Sequence, residues 1–393
     1  MAVDIDSIGG IEADMRAWRQ DIHAHPETAF EEVRTAGIVA DLLSSWGIEV
    51  HRGIAVTGVV GVLHGAGGPG GRRIGLRADM DALNMEERKT VPWRSRHAGK
   101  MHGCGHDGHT SMLLGAAQYL ARTRNFAGTI CFIFQPGEES AGGARRMIEE
   151  GLFERFPAET VWAVHNWPGF PVGRIAVHKT AVMAASDYFE IIVRGKGAHG
   201  GLPHEGIDPV LIGSHIVVAL QSLVSRNVDP VDSAVVSCCV FEGAKANNVI
   251  PDFARLGGNA RTFRPQTREL VEKGIHRIAR DIASAMGGSA EVSFQRGYPE
   301  TVNTAAESAL AARVAADIVG SEGVILDAPP TTTSEDFGFM LQERPGCYVL
   351  IGSEDPQHTS VLHHPLYDFN DAILAVGTRY WIRLVQTLLP PAA

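Results

Sequence analysis

Residues 101–110, MHGCGHDGHT, place one cysteine and three histidines within ten positions. Cys104 and His106 are separated by a single glycine, which lets backbone and ligand approach closely. A thiolate and an imidazole at this spacing suit a transition metal such as zinc. The pair alone does not establish a metal site, because a free cysteine beside a turn is often simply packed into the core.

Two adjacent acidic residues, Glu138 and Glu139, follow the apolar segment TICFIF and a proline–glycine turn. Two carboxylates that are both desolvated and unpaired repel each other. One resolution is that one carboxylate binds a cation while the other transfers protons. The alternative is an acidic loop exposed to water, which is the commoner fate of a Glu-Glu pair.

Two more histidines extend the set of candidate ligands. His165 comes directly after the apolar segment TVWAV, and His363 lies in the loop TSVLHHPLYDFND. Either histidine alone would more often be structural. Together with Cys104, His106 and Glu139, however, they make more ligands than one tetrahedral ion takes. The set therefore suits two ions bridged by Cys104 or by a water molecule, as in two-metal hydrolases.

The elements that must position these residues are predicted from hydrophobic periodicity. Apolar strands alternate with helices, so we expect an α/β domain with a mostly parallel sheet and helices on both faces, formed by residues 1–185 and 297–393. Sheets of this kind bind ligands beyond the carboxyl ends of their strands. The polar residues that follow predicted strands are Asp79, Asp81, Glu138, Glu139 and His165.

Residues 186–296 have a different pattern from the rest of the chain. Their strand and helix signals follow the order β-α-β-β-α-β, which is the order of a ferredoxin-like fold. Such a unit closes on itself. The sequence therefore predicts a small α+β domain inserted into the larger one.

The composition excludes several classes of function. The chain has 393 residues and a formal net charge of −10, which argues against binding to nucleic acid or to an anionic membrane surface. Five scattered cysteines are too few for a disulfide framework, so a cytoplasmic location is expected. There is no uncharged apolar run of the roughly 18 residues that a membrane span needs, and no basic, apolar leader. We expect neither a span nor a signal peptide.

Motifs along nearly the whole chain resemble the M20 metallopeptidase family. Within it they resemble the amidohydrolase branch, which includes hippurate hydrolases, N-acyl-amino-acid amidohydrolases and auxin-conjugate hydrolases. The motifs occur in the family's order: RADMDALNM, GKMHGCGHDGHTSMLLGAA, FQPGEESAGGA, VHNWP, GKGAHGGLPHEGIDPV, NNVIP, TSEDFGFM and LHHPLYDFND. The resemblance implies a di-metal exopeptidase type of catalytic domain with an inserted dimerisation, or lid, domain.

The resemblance also implies which residue of each motif binds metal and which one transfers protons. Glu138 would be the general base, and His363 rather than His364 would be a ligand. Asp81 and Asp107 would orient the ligands from behind, although Asp107 could equally be an acidic residue favoured by a helix N-terminus. The metal ligands that it implies are Cys104, His106, Glu139, His165 and His363.

Three residues of the inserted domain receive roles in the same way. His199 of the partner subunit would stabilise the oxyanion. Asn248 and Arg261 would hold the substrate, and the fork of an arginine is suited to pairing with its carboxylate. The alternatives are a loop histidine without a partner for His199 and a surface ion pair for Arg261.

The resemblance implies hydrolysis of the amide bond of N-acyl amino acids by a homodimer or tetramer. It implies two divalent ions per subunit, and the mixed ligand set admits zinc, manganese, cobalt or nickel. One alternative is a dipeptidase or aminopeptidase of the same family. Another is a non-catalytic dimer that binds metal or ligand. A redox role for Cys104 is disfavoured because the chain has no CxxC motif.

Overall fold

The computed structural model describes residue 8, residues 10–326 and residues 328–391. The α-helices in these residues are α1 (Glu12–Ala24), α2 (Val33–Ser45), α3 (His106–Thr123), α4 (Gly143–Glu149), α5 (Leu152–Arg155), α6 (Pro209–Ser222), α7 (Pro265–Ala285), α8 (Ala305–Val319), α9 (Phe337–Glu343) and α10 (Leu374–Leu388). The strands are β1 (Glu49–Ile54), β2 (Gly58–His64), β3 (Arg73–Asp79), β4 (Thr129–Gln135), β5 (Thr160–Pro171), β6 (Ile175–Val177), β7 (Ala181–Met183), β8 (Ala185–Arg194), β9 (Ala198–His199), β10 (Ala234–Glu242), β11 (Val249–Ile250), β12 (Phe253–Thr262), β13 (Ser289–Arg296), β14 (Thr301–Val302), β15 (Val324–Ile325) and β16 (Gly346–Glu354).

The described residues divide into two compact units. The first comprises the residues up to Val182, those of Val302–Pro329 and those from Asp336 onward. The second comprises Met183–Thr301 together with Pro330–Glu335.

The first unit contains an eight-stranded sheet in the order β1-β2-β4-β3-β5-β16-β6-β15. Its central strands β4, β3, β5 and β16 run parallel to their neighbours in that group. Every residue of β4 is buried, which requires cover on both faces of the sheet. The predicted α/β architecture, with a mostly parallel sheet and flanking helices, is confirmed.

Helix α3 lies at the centre of the first unit's core. Nearly all of its residues are buried, and its apolar side chains share one cluster with those of α1, α10 and the sheet. The start of α3 lies at the end of β3, because the hydroxyl of Thr110 donates to the carbonyl of Asp79 and His109 Nδ1 lies 2.6 Å from Asp79 Oδ1. The segment that carries Cys104 and His106 is therefore held between the sheet and the outer helices.

Strand β5 differs from the prediction. His165 was expected to follow the strand, but the strand continues through Pro168 and Gly169 to Pro171, so His165 lies within it. Gly169 has φ +106°, and the pairing of β5 with β16 shifts register beyond Trp167. An irregular pairing of this kind tolerates a proline that a regular ladder would reject.

The second unit contains a four-stranded antiparallel sheet in the order β10-β12-β8-β13. Helices α6 and α7 pack on it through one apolar cluster. Asp208 begins α6 as an N-cap, because its side chain accepts hydrogen bonds from the N–H groups of Val210 and Leu211. Chain order and strand order are those of a ferredoxin-like unit.

One segment, Pro209–Asn227, is long and apolar enough to cross a membrane by length and composition, and 33% of the tested window is buried. All five cysteines are free thiols. The cytoplasmic location inferred from them remains a prediction.

Candidate metal centre

The five predicted metal ligands converge in the first unit. Glu139 follows β4, and His165 lies in β5. Cys104 precedes α3, and His106 is the first residue of that helix. His363 comes from the loop between β16 and α10. The ligand atoms of Cys104, His106 and His165 lie within 4.8 Å of one another, as do those of Cys104, Glu139 and His363.

Cys104 and His165 form the buried side of the site. Cys104 Sγ lies 3.4 Å from His165 Nε2. The Nδ1 atom of His165 lies 2.6 Å from the carbonyl oxygen of Asn166, which can only accept a hydrogen bond. Nδ1 therefore carries the proton, and the lone pair of Nε2 faces the site. Burial holds the pKa of His165 well below its usual value, so the imidazole is neutral, as a metal ligand must be.

His106 and Glu139 face each other across the centre of the site. His106 Nε2 lies 3.8 Å from Glu139 Oε1. Both atoms are buried, and neither has a hydrogen-bond partner in the described part of the chain. Buried polar atoms are normally satisfied. A cation between the two atoms would satisfy both.

His363 closes the site on its open side. Its Nε2 lies 3.3 Å from Glu139 Oε2, and 52% of its side chain is exposed. The backbone of His363 has φ +59°, a left-handed conformation that is uncommon for residues with a side chain. Its N–H donates to the carbonyl of Gly103, beside Cys104. Strained residues of this kind are held in place where a side chain must point in one direction.

Cys104 belongs to both of these groups of potential ligand atoms, and the donor set has the chemistry to hold divalent cations. Burial raises the pKa of this thiol well above its usual value, and the charges of Glu139 and Glu138 raise it further. A cation at the site would reverse that effect, because metal ligation deprotonates a thiol. One thiolate, three imidazoles and a carboxylate are typical ligands of zinc and its neighbours in the first transition row.

Glu138 lies beside this set without belonging to either group around Cys104. It is 5% exposed, and its Oε1 accepts a hydrogen bond from the N–H of Asp336 at 3.4 Å. It does lie with His106 and Glu139 in a third cluster of potential ligand atoms. A carboxylate at the rim of a metal pair is placed to exchange protons with a water there.

Asp81 connects two of the ligands. Its Oδ1 lies 3.2 Å from Nδ1 of His106, and its Oδ2 accepts a hydrogen bond from the N–H of Glu139 at 3.0 Å. An N–H···carboxylate contact at Nδ1 leaves Nε2 of His106 free as a ligand. Although burial lowers it, the charges of Asp79 and Asp81 raise the pKa of His106 to about 10. The same negative field would favour a bound cation.

Asp107 is directed toward α1 and does not cap its own helix. Its Oδ2 lies 2.8 Å from His23 Nδ1, and its Oδ1 has no hydrogen-bond partner among the described residues. On its other side, His23 Nε2 lies 3.4 Å from Glu87 Oε1. Arg19 is fully buried and lies 3.8 Å from the same carboxylate oxygen of Asp107. This cluster fixes the first turn of α3, which carries His106.

The sequence analysis missed His23, Glu87 and Arg19. Arg19 and His23 are four residues apart and lie on the buried face of α1 with Met15 and Ile22. Charged or titratable residues at core positions of a helix are unusual. That periodicity was the signal that could have found Arg19 and His23.

Asp79 is the last residue of β3, and each of its two carboxylate oxygens already has a partner. Its Oδ2 accepts from Arg77 at 2.7 Å, and its Oδ1 lies 2.6 Å from His109 Nδ1. His109 Nε2 in turn lies 2.7 Å from Asn166 Oδ1. Asp79, His106 and His109 are close enough to hold an ion. However, Asp79 is already paired with Arg77 and His109, and His109 is also paired with Asn166. We therefore assign Asp79 and His109 to the support of the site.

The remaining predicted residues belong to the second unit. His199 and Asn248 are exposed neighbours, since Gly200 donates its N–H to the carbonyl of Asn248 at 2.7 Å. Arg261 is half-buried on β12, and its guanidinium donates to Ser334 Oγ at 3.3 Å. No carboxylate of the described residues is paired with Arg261. Its predicted partner, a substrate carboxylate, would fill that role.

Comparison with known proteins identifies relatives of this chain. The model of the peptidase family M20/M25/M40 matches residues 75–387. Hippurate hydrolase of Campylobacter jejuni is 40% identical over 385 residues, which cover 98% of this chain and 99% of the relative. N-acetylcysteine deacetylase of Bacillus subtilis is 36% identical, with 94% and 96% covered. The crystal structure of a dinuclear metal-binding peptidase of the M20 family from B. subtilis matches with a TM-score of 0.85 at 32% identity, covering 98% of this chain and all of the other.

Proposed function

Because the chain belongs to the peptidase family M20/M25/M40, we propose that it hydrolyses the amide bond of N-acyl amino acids and releases a carboxylic acid and a free amino acid. The chain is an amidohydrolase of this family, as its similarity to a hippurate hydrolase and an N-acetylcysteine deacetylase indicates. The observation that supports the proposal best is the pair of unsatisfied buried atoms, His106 Nε2 and Glu139 Oε1, within the described ligand set.

Cys104, His106, Glu139, His165 and His363 would hold two divalent cations. When bound, such cations polarise the acyl carbonyl and lower the pKa of a water molecule to about 7. The ligand field admits zinc, manganese, cobalt or nickel. Asp81 and Asp107 would keep the ligands oriented, Asp81 through His106 and Glu139 and Asp107 through the anchoring of α3.

Glu138 would act as general base and then as general acid. Its carboxylate takes a proton from the attacking water and returns it to the departing amine nitrogen. The C–O bond to water forms first, and the C–N bond breaks when the tetrahedral intermediate collapses. The proton that Glu138 took from water goes to the departing nitrogen, so the same residue both accepts and returns it. Support for this role comes from the burial of Glu138 and from its position beside His106 and Glu139.

The second unit would supply substrate recognition. Arg261 pairs with the free carboxylate of the amino-acid moiety, and Asn248 binds the amide. The partner subunit's His199 donates to the oxyanion of the tetrahedral intermediate, which a single such donor stabilises by about 3–4 kcal/mol. The exposure of His199 and Asn248 supports a role toward a ligand or another chain.

The second unit, which we propose to be the inserted dimerisation domain, has a surface suited to a second copy. Strand β10 lies at one edge of its sheet, with Phe241 43% exposed. On helix α6, Leu211 and Val218 are 51% and 73% exposed. Unpaired edge strands and exposed apolar side chains are features of protein interfaces. A homodimer would cover the apolar face of Pro209–Asn227.

A substrate panel tests the proposal. The protein is assayed for release of free amine from hippurate, from N-acetyl amino acids and from unblocked dipeptides, with chelator and with each candidate metal added back. We expect cleavage of blocked amino acids that chelator abolishes and metal restores. Cleavage of dipeptides alone would favour a peptidase of the same family, and binding without any cleavage would favour a non-catalytic protein.

A further inference from the structure

Glu32 is a buried carboxyl group outside the metal site that no step of the proposed reaction uses. It is fully buried at the N-terminus of α2. Burial raises its pKa to about 7. A buried carboxyl of this kind requires hydrogen-bond donors, and two of its donors in the described chain come from distant segments.

The first donor belongs to the turn that carries the catalytic acids. The N–H of Gly137 donates to Glu32 Oε1 at 2.9 Å, and this contact is buried. Gly137 has φ +63°, and the ring of Phe30 lies 3.2 Å from where its Cβ would be. Glu32 therefore fixes the backbone of the residue directly before Glu138.

The second donor belongs to a strained turn. The hydroxyl of Thr57 donates to Glu32 Oε2 at 2.5 Å. The two residues before it, Ala55 and Val56, have φ +51° and +73°. A β-branched residue in this region is a rare outlier that the surrounding structure must hold in place. The turn presents the Thr57 hydroxyl to Glu32, so the carboxyl group is locked from both sides.

Glu139 has an anchor of its own. Its N–H donates to Asp81 Oδ2, so its place among the ligands does not depend on Glu32 alone. Glu138, by contrast, directly follows the Gly137 backbone that Glu32 holds, and its Oε1 accepts a hydrogen bond from the Asp336 N–H. A disturbance at Glu32 should therefore reach the base before it reaches the ligand.

We infer that Glu32 is a positioning residue for the general base: it holds the Gly137 turn so that the carboxylate of Glu138 faces the metal pair. This role rests on the proposed function. Glu32→Leu keeps most of the side-chain volume but leaves the Gly137 N–H without its acceptor. Glu32→Gln keeps an acceptor for Gly137 and a polar contact for Thr57. Glu31→Leu, at the exposed neighbouring position, is the control.

Hippurate hydrolysis and metal content are measured on the metal-loaded dimer of each variant. We expect Glu32→Leu to lose at least about tenfold in kcat, because small misplacements of a catalytic group are costly. Its KM and its metal content should stay near wild type. Glu32→Gln and Glu31→Leu should stay within about threefold of wild type in kcat.

Wild-type kcat in Glu32→Leu, or joint loss of metal and activity, would overturn the inference. So would an equal loss in Glu32→Gln, which would make charge and not the hydrogen bond decisive. If Glu32→Leu fails to fold, Glu32→Asp decides instead: it withdraws the carboxylate by one methylene, and unchanged kcat would overturn the inference. Absence of hydrolysis by wild type would overturn the proposed function and this role with it, whereas an active Glu32→Leu overturns this role alone.

Discussion

His106 Nε2 and Glu139 Oε1 lie 3.8 Å apart in the interior, and neither atom makes a hydrogen bond within the described residues. Asp81 contacts both residues on the side away from these atoms, through Nδ1 of His106 and the backbone N–H of Glu139. Two preorganised ligand atoms without partners are the signature of a cation site.

Replacement of Cys104 should disturb both ions, because its thiol belongs to both ligand groups. In Cys104→Ala we expect the bound metal to fall from two ions per chain to less than one. His165→Ala and His363→Ala should each retain about one ion, since each removes a ligand from a single group. Metal content is measured by elemental analysis after dialysis. Cys131→Ala, at a buried cysteine away from the site, is the control. If Cys104→Ala lost no more metal than His165→Ala or His363→Ala, a role of Cys104 in holding both ions would be contradicted.

His23 should make stability depend on pH. Although burial lowers it, Asp107 and Glu87 raise the pKa of His23 to about 9. A raised histidine pKa adds stability that is complete below the usual value near 6.5 and disappears as pH rises through 9. The difference corresponds to about 3 kcal/mol.

Denaturant unfolding of the metal-loaded protein between pH 6 and pH 10 tests this expectation. Wild type should lose about 3 kcal/mol more of its free energy of unfolding across this range than His23→Gln. The charged or titratable groups that face His23 among the described residues are Asp107, Glu87, Arg19 and His102. His204→Gln, at an exposed histidine, should follow wild type. If the free energy of unfolding changed with pH equally in wild type and in His23→Gln, a protonated His23 between Asp107 and Glu87 would be refuted.

Arg261 should matter only for substrates that carry a free carboxylate. A charged hydrogen bond contributes about 1.5–3 kcal/mol, so Arg261→Ala should raise KM for hippurate roughly 10- to 100-fold. Hippuramide, which lacks the carboxylate, should be hydrolysed equally by both proteins. Arg194→Ala removes an exposed arginine paired with Glu291 and serves as the control. Equal loss with both substrates would mean that Arg261 has a structural role.

Mixed dimers should reveal whether His199 acts across subunits. His199→Ala and Glu138→Gln should each be nearly inactive alone. After the two variants are refolded together, half of the dimers contain one chain of each. In such a dimer, one of the two sites has both an intact Glu138 and an intact His199 from the partner subunit. We expect about a quarter of wild-type activity to return. No recovery, with mixed dimers verified by mass spectrometry, would place His199 outside the partner's site or outside the reaction.

Much of the architecture, and the proximity of the candidate ligands, could be predicted from the sequence, for a physical reason. Residues that follow parallel strands meet at one edge of a sheet, so Glu139 and the segment around Cys104 had to lie near each other. His165 was predicted correctly as a neighbour of these residues but wrongly as a residue beyond its strand. The register shift near Trp167 that lets β5 continue has no local sequence signal.

The supporting contacts could not be predicted in the same way. His23 and Asp107 are 84 positions apart, and Glu32 and Gly137 are 105 apart. Their proximity depends on how α1 and α2 pack against the sheet, which periodicity does not specify. Only the presence of titratable residues on buried helical positions indicated that such partners must exist.

Glu138→Gln tests the central claim most directly, because the amide keeps the shape of the side chain but cannot accept the proton of water. Metal content and hippurate turnover are measured on the same preparation, beside wild type. We predict two bound metal ions per chain and a kcat reduced by about 10²- to 10⁴-fold. Turnover near the wild-type rate in a variant that retains its metal would contradict the role of Glu138 and the mechanism built on it.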